Sequence, residues 1–155
     1  MTKTNFAVAL GSCLLLLLTG CHDNPHGTVP VTVKVEYNGQ PISEAVVVFR
    51  GDIPASGATN DNGIARLSSF QRNDGAVPGA YKVTIEKVMM DIQYAPEGGT
   101  IIKNETKFLI PAVYGNPETS ELSAEVDAKG RNHFTFQLDD SRRNSQENHP
   151  HALKD

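Results

Sequence analysis

The strongest constraint on this chain's fold is alternation with a period of two. Val29, Val31, Val33, Val35 and Tyr37 are separated by Pro30, Thr32, Lys34 and Glu36. On a strand, successive side chains point to opposite faces, so such a run buries one face and wets the other. The pattern returns at Tyr81, Val83 and Ile85, at Leu122, Ala124 and Val126, and at Phe134, Phe136 and Leu138. Ala45-Val46-Val47-Val48-Phe49 is continuously apolar instead and predicts a central strand covered on both faces. Ile64-Ala65-Arg66-Leu67 supplies a sixth strand, and Phe108-Leu109-Ile110, stopped by Pro111, marks a place for a seventh.

Turn chemistry separates these runs. Asn38-Gly39 tolerates the positive φ of a tight hairpin turn. Thr59-Asn60-Asp61-Asn62-Gly63 and Asp127-Ala128-Lys129-Gly130 turn the chain again. Gly51 to Gly57, with Pro54, reads as a loop, and so does Gln71 to Gly79. From Met89 to Gly115 the pattern weakens where Pro96, Gly98 and Gly99 interrupt it. Long irregular stretches in compact domains are often either functional or disordered. No segment sustains a helical period. The expectation is an all-β antiparallel sandwich of about seven strands over residues 29–138, followed by a polar, disordered tail over 139–155.

The amino terminus is of a different kind. Lys3 precedes the mainly apolar run Phe6 to Leu18, which ends in five leucines. Its 13 residues fall short of the roughly 20 that a membrane-spanning helix needs. They match the apolar region of a secretory signal. Leu18-Thr19-Gly20-Cys21 resembles a lipobox: an aliphatic residue, two small ones, and the cysteine whose thiol receives the lipid. The resemblance implies a signal peptide over 1–20 cut after Gly20, lipidation of Cys21, and a tether over 21–28. Acyl chains add about 0.8 kcal/mol per buried CH₂, and two or more anchor stably. Residue 22 is His, so the Asp that resembles an inner-membrane retention signal is absent there; Asp23 comes one position late.

Charge and cysteine usage narrow the classes further. Of 14 basic residues only Lys3 leaves with the signal, so 13 basic and 18 acidic residues remain, a formal charge of −5. That gives no basic face for nucleic acid and no polybasic signal for anionic lipid. Cys13 leaves with the signal, and Cys21 then has no partner within the chain.

Three segments resemble the carboxypeptidase-regulatory-like, or transthyretin-like, family of β-sandwiches. They are Tyr37-Asn38-Gly39-Gln40-Pro41-Ile42-Ser43-Glu44-Ala45-Val46-Val47, Thr59-Asn60-Asp61-Asn62-Gly63 with Leu67, and Val77-Pro78-Gly79-Ala80-Tyr81-Lys82-Val83-Thr84-Ile85. Together they span roughly Thr28 to Val88. Asn60 stands where the family usually has Asp, and Ala65 where an aromatic is common. Leu109 to Ser120 looks similar to a segment of small bacterial lipoproteins of this group. The resemblance implies a sandwich in the cell envelope and carries no activity with it.

Candidate chemistry is sparse. Asn60-Asp61-Asn62 offers oxygen ligands but lacks the distal Glu of a calcium loop. His22, His26, His149 and His151 lie toward the ends, leaving His133 as the histidine of the domain proper. An iron site of two Tyr and two His cannot be built on one histidine, and a nucleophile–His–acid triad would have to use His133. The hydroxyisourate hydrolases of the transthyretin fold end in Tyr-Arg-Gly-Ser, and this chain ends His-Ala-Leu-Lys-Asp. Ser68-Ser69 has no nucleophile elbow around it. Glu118, Glu121 and Glu125 read as a solvated acidic edge, with Glu121 and Glu125 on one face of a strand. No catalytic residue, metal or cofactor is therefore expected. Glycan-binding sandwiches grip sugars with exposed aromatics, and with no Trp present, Tyr94 and Tyr114 are the candidates for a binding contact. The expected partners are the membrane, through the lipid, and an envelope protein or glycan.

Overall fold

The computed structural model describes residues 24–142. The proposed signal peptide, Cys21 and the segment 143–155 lie outside them. The described chain is all-β, as the alternation predicts: ten strands with two short 3-10 turns.

Two sheets form the body. In the first, β1 (Val31–Tyr37) lies centrally; it pairs in antiparallel fashion with β2 (Gln40–Pro41) and β5 (Ile64–Arg66) and in parallel with β10 (Asn132–Leu138). The second runs β4 (Ala55–Ala58), β3 (Val46–Arg50), β6 (Gly79–Glu86) and β9 (Leu122–Val126), antiparallel throughout. The β1–β10 pair is thus a parallel exception to the antiparallel expectation. A parallel pair needs a long crossover, and here nearly the whole domain intervenes between its two strands.

Alternation decides which faces meet. Val31, Val33 and Val35 of β1 and Phe136 and Leu138 of β10 turn inward from the first sheet. Val47, Phe49, Tyr81, Val83, Ile85, Ala124 and Val126 answer from the second. Phe49 sits at the centre, its ring 5.6 Å from Phe134, 5.7 Å from Tyr81 and 6.5 Å from Phe136. Each fully buried aliphatic or aromatic side chain contributes about 1.5–3 kcal/mol by leaving water. Tyr81 buries its ring and donates its hydroxyl to the Val77 carbonyl at 2.6 Å; burial pushes its phenol pKa up.

Three expectations need correction. β3 is central, but only one face is covered: Val47 and Phe49 are buried, whereas Val46 is 48% exposed. The continuous apolar run therefore reflects strand preference on its outer side, not a second covering layer. The loop predicted over 51–57 ends in a strand, β4, built from Ala-Ser-Gly-Ala. Its small residues hide it from pattern reading but let it approach the other sheet; a Cβ on Gly57 would stand 2.5 Å from the Arg66 carbonyl oxygen. Finally, the stretch from Met89 is not irregular. It holds a separate two-stranded hairpin, β7 (Val88–Tyr94) and β8 (Ile101–Phe108), followed by the 3-10 turn Ala112–Gly115.

The domain limits also move outward. At the carboxyl end, Asp140–Arg142 forms a 3-10 turn rather than part of a disordered tail. Arg142 donates to the carbonyls of Ser120 and Thr119 at 2.6 and 2.8 Å, pairs with Glu121 at 3.0 Å, and lies over the Tyr114 ring. At the amino end, Asn24 to Pro30 is folded onto the body rather than hanging free. Asn24 caps Thr28 through three hydrogen bonds, and Val29 exchanges two backbone hydrogen bonds with Ala76.

Candidate functional site

The β7–β8 hairpin is the feature that the core does not account for. It leaves the second sheet where β6 ends at Glu86, and Leu109 N–H donating to the Lys87 carbonyl at 2.8 Å closes its base. Beyond that, among the described residues, its strands pair only with each other, and none of their residues is buried. The Pro96-Glu97-Gly98-Gly99 sequence that interrupts the alternation is the turn at its tip.

The register gives the hairpin two unlike faces, because residues directly opposite in an antiparallel pair point the same way. Val88 faces Phe108, Met90 faces Thr106 and Ile92 faces Asn104 on one side. Met89 faces Lys107, Asp91 faces Glu105 and Gln93 faces Lys103 on the other. The first side is mostly apolar and open to solvent: Met90 is 66% exposed, Phe108 44% and Ile92 39%. The second is charged and internally balanced. Lys103 Nζ lies 2.5 Å from Asp91 and 3.1 Å from Glu105. The hydrogen bond to Asp91, then that to Glu105, raises the Lys103 pKa. An irregularity at Gln93/Tyr94 shifts the register, so Tyr94 pairs with Ile101 and Ile102 becomes the extra residue. All three are exposed at the tip.

The two candidate tyrosines therefore part company. Tyr94 is 60% exposed beside the tip. Tyr114 is 3% exposed, and its hydroxyl lies 3.3 Å from the Asp139 carbonyl and 3.2 Å from the Asp139 amide. It is a core residue of the 3-10 turn and offers no contact surface, which corrects its place among the binding candidates.

The remaining candidates serve the fold. Asn60 Oδ1 accepts the N–H groups of Asn62 and Ile64, each at 3.0 Å, and so shapes its turn. Ser68 Oγ accepts from Asn73 N–H, and Ser69 Oγ donates to the Gly75 carbonyl. Glu121 and Glu125 do not share a continuous strand face: Glu121 has φ +57° just before β9 and turns to Arg142. His133 is exposed on the outer side of β10. His26 stacks on Phe70, ring centroids 3.8 Å apart. Among the described residues, no three His, Cys, Asp or Glu side chains come together as a metal site, and no helix is long and apolar enough to cross a membrane. Gly20, Cys21, His22, His149 and His151 lie outside the described residues.

Sequence reasoning missed the hairpin although a signal was present. Lys103, Glu105 and Lys107 alternate with Asn104, Thr106 and Phe108, and Met90, Ile92 and Tyr94 alternate with Asp91 and Gln93. Two alternating runs about a Gly-Gly turn define a hairpin whether or not either face is buried. Compared with protein-family models, curated proteins and solved structures, the chain gives no match.

Proposed function

We propose that this chain is a lipid-anchored lipoprotein of the cell envelope whose β-sandwich is a non-catalytic interaction module, with the β7–β8 hairpin as its docking element. The observation that carries the docking role is the open apolar face of Val88, Met90, Ile92 and Phe108. Apolar side chains aligned on a projecting element, beside an internally paired charged face, suit a protein partner that covers them. The lipobox at Leu18–Cys21 supports the anchor.

The same reading places the fold with the carboxypeptidase-regulatory-like sandwiches. Support comes from where the three resembling segments fall: Asn38-Gly39 joins β1 to β2, Thr59 to Gly63 joins β4 to β5, and Val77 to Ile85 leads into and forms most of β6. Asn38 and Gly39 both have positive φ, at 50° and 76°, as the family's tight turn needs.

Site-specific photo-crosslinking in the native host tests the docking role. A crosslinker at Met90 is expected to yield a discrete adduct, and one at Thr135 on the outer face of β10 is expected to yield none. The double substitution Met90→Ser with Ile92→Ser should abolish an adduct read from Tyr94. Equal crosslinking at both sites overturns the docking role. The anchor is tested separately by intact mass: acyl mass on the wild type and none on Cys21→Ser is expected, and no acyl mass on either refutes it.

A second reading rests on Tyr94. Its ring, 60% exposed next to Ile101 and Ile102, suits stacking against a sugar or a peptide side chain. A glycan and peptide array probed with wild type and Tyr94→Ala decides it; hits insensitive to Tyr94 count against this reading.

A further inference from the structure

The amino-terminal segment is held against the body at one end of the sandwich, and that end is opposite the hairpin. Val29 N–H donates to the Ala76 carbonyl at 2.8 Å, and Ala76 N–H returns a bond to Val29 at 3.0 Å. Gly75 makes the approach possible. Its φ is +93°, and a Cβ there would stand 1.8 Å from the Val29 carbonyl oxygen. Before Val29, the Asn24 side chain closes a turn onto Thr28, and His26 stacks on Phe70 of the loop after β5. Asp74 fixes that loop by accepting the N–H groups of Ser69, Phe70 and Gln71.

This segment meets the body beside the start of β1, where Val31 pairs with Asn132. The hairpin leaves from the other end. Glu86 pairs with Val46, next to Ala45, whose N–H donates to Thr59 Oγ1. Thr59 Oγ1 in turn donates to the Ile42 carbonyl, and Ile42 N–H reaches Val35 near the end of β1. From Val31 to Tyr37, β1 spans about 20 Å at the usual rise per residue. The anchor side and the hairpin base are thus separated by the length of the sandwich.

From these contacts we infer that the docked amino-terminal segment sets the domain's orientation on the leaflet. The end carrying Phe70, Arg72, Lys129 and Arg131 faces the phospholipid headgroups, and the hairpin is held at the far end. The inference rests on the reading of Cys21 as the lipidated residue. Between Cys21 and the docked Asn24 there are three peptide bonds, which reach about 10 Å at full extension. A free tether from Cys21 to Thr28 would have reached about 25 Å and left the orientation open. Phe70 is 44% exposed, and Arg72, Lys129 and Arg131 are exposed on the loops at this end, three cations against the Asp74 and Asp127 carboxylates of the same loops. Their guanidinium and ammonium groups suit headgroup phosphates. The occupant of this end is therefore the leaflet that holds the chain's own acyl groups.

The chain has no Trp, so single-tryptophan variants give a clean optical signal. Lipidated Phe70→Trp and Tyr94→Trp proteins are placed in phosphatidylcholine vesicles containing a lipid with a nitroxide on its headgroup. Quenching severalfold stronger for Phe70→Trp than for Tyr94→Trp is expected. Adding Asn24→Ala and His26→Ala, which loosen the docked segment, should shrink that difference. Equal quenching, or stronger quenching at Tyr94→Trp, overturns the inference. If Phe70→Trp does not fold, Arg131→Trp reports on the same end. If the host-made protein carries no acyl mass, the anchor reading has failed. The orientation is then read on the chain from Cys21, which includes every described residue, coupled through its lone thiol to a maleimide lipid.

Discussion

The sandwich body and the β7–β8 hairpin are built from the same kind of strand and held by different means. In the body, the inward residues of the two sheets form one buried cluster, and Val33, Val35, Val47, Phe49, Val83 and Ile85 are fully buried. In the hairpin, Val88, Met90 and Ile92 are as regularly placed, yet no second layer among the described residues covers them. An isolated two-stranded hairpin is marginal in water. This one is held by its covalent continuity with β6, its closed base and the Lys103 ion pairs, the last worth little when exposed. The comparison teaches that alternation alone specifies a strand, whereas an opposing layer makes that strand contribute to stability. An apolar face lacking such a layer is open to a partner.

The comparison predicts a wide gap between equivalent truncations. Phe49→Ala removes the ring at the centre of the aromatic cluster and should cost about 3–5 kcal/mol in urea denaturation. Next comes Thr59→Val. Thr59 Oγ1 accepts from Ala45 N–H at 2.9 Å and donates to the Ile42 carbonyl at 2.7 Å, which ties the turn to the body. Its loss should cost about 1–3 kcal/mol, because buried partners are left unpaired. Met90→Ala in the hairpin should change stability by no more than about 0.5 kcal/mol. A cost there approaching that of Phe49→Ala would show that the hairpin packs against a layer, and the contrast would fall.

The smallest effect is a pH dependence confined to the loop that Asp74 closes after β5. Burial pushes the Asp74 carboxyl up, but the backbone N–H groups of Ser69, Gln71 and Phe70 together outweigh it, so its pKa lies below the ordinary 3.8. A depressed carboxyl stabilises the fold above its unfolded-state pKa and loses that contribution as pH falls through the folded value. Asp74→Asn should therefore flatten the acid limb of the melting temperature against pH while leaving hairpin exchange rates unchanged. An unaltered acid limb would remove Asp74 from the loop's stability.

Much of the body was legible because burial imprints itself on sequence. All six strands expected from apolar runs are present, and the Asn38-Gly39 turn has the backbone its residues imply. β4 escaped because Ala, Ser and Gly have weak strand preference; what places them is the room needed against Arg66. The hairpin escaped for the opposite reason. Its exposed faces relax the apolar–polar contrast, and its turn residues looked like an interruption. Of the candidate site, Tyr94 was legible as an aromatic in an unassigned stretch, while the burial of Tyr114 depends on Asp139 and Arg142, distant in sequence.

By itself the sequence determined the strand class, most of the turns, and the amino-terminal motif on which the anchor proposal rests. These are set by local chemistry: period-two patterning, backbone freedom at Asn and Gly, and a short apolar run ending in a cysteine. Only the tertiary structure decided that β1 and β10 run parallel, that Asn24 to Pro30 is docked, that Tyr114 is core, and that one hairpin keeps its apolar face in solvent. Each of those depends on pairing between residues far apart along the chain. Register and burial there follow from which surfaces meet, and no local pattern encodes that meeting.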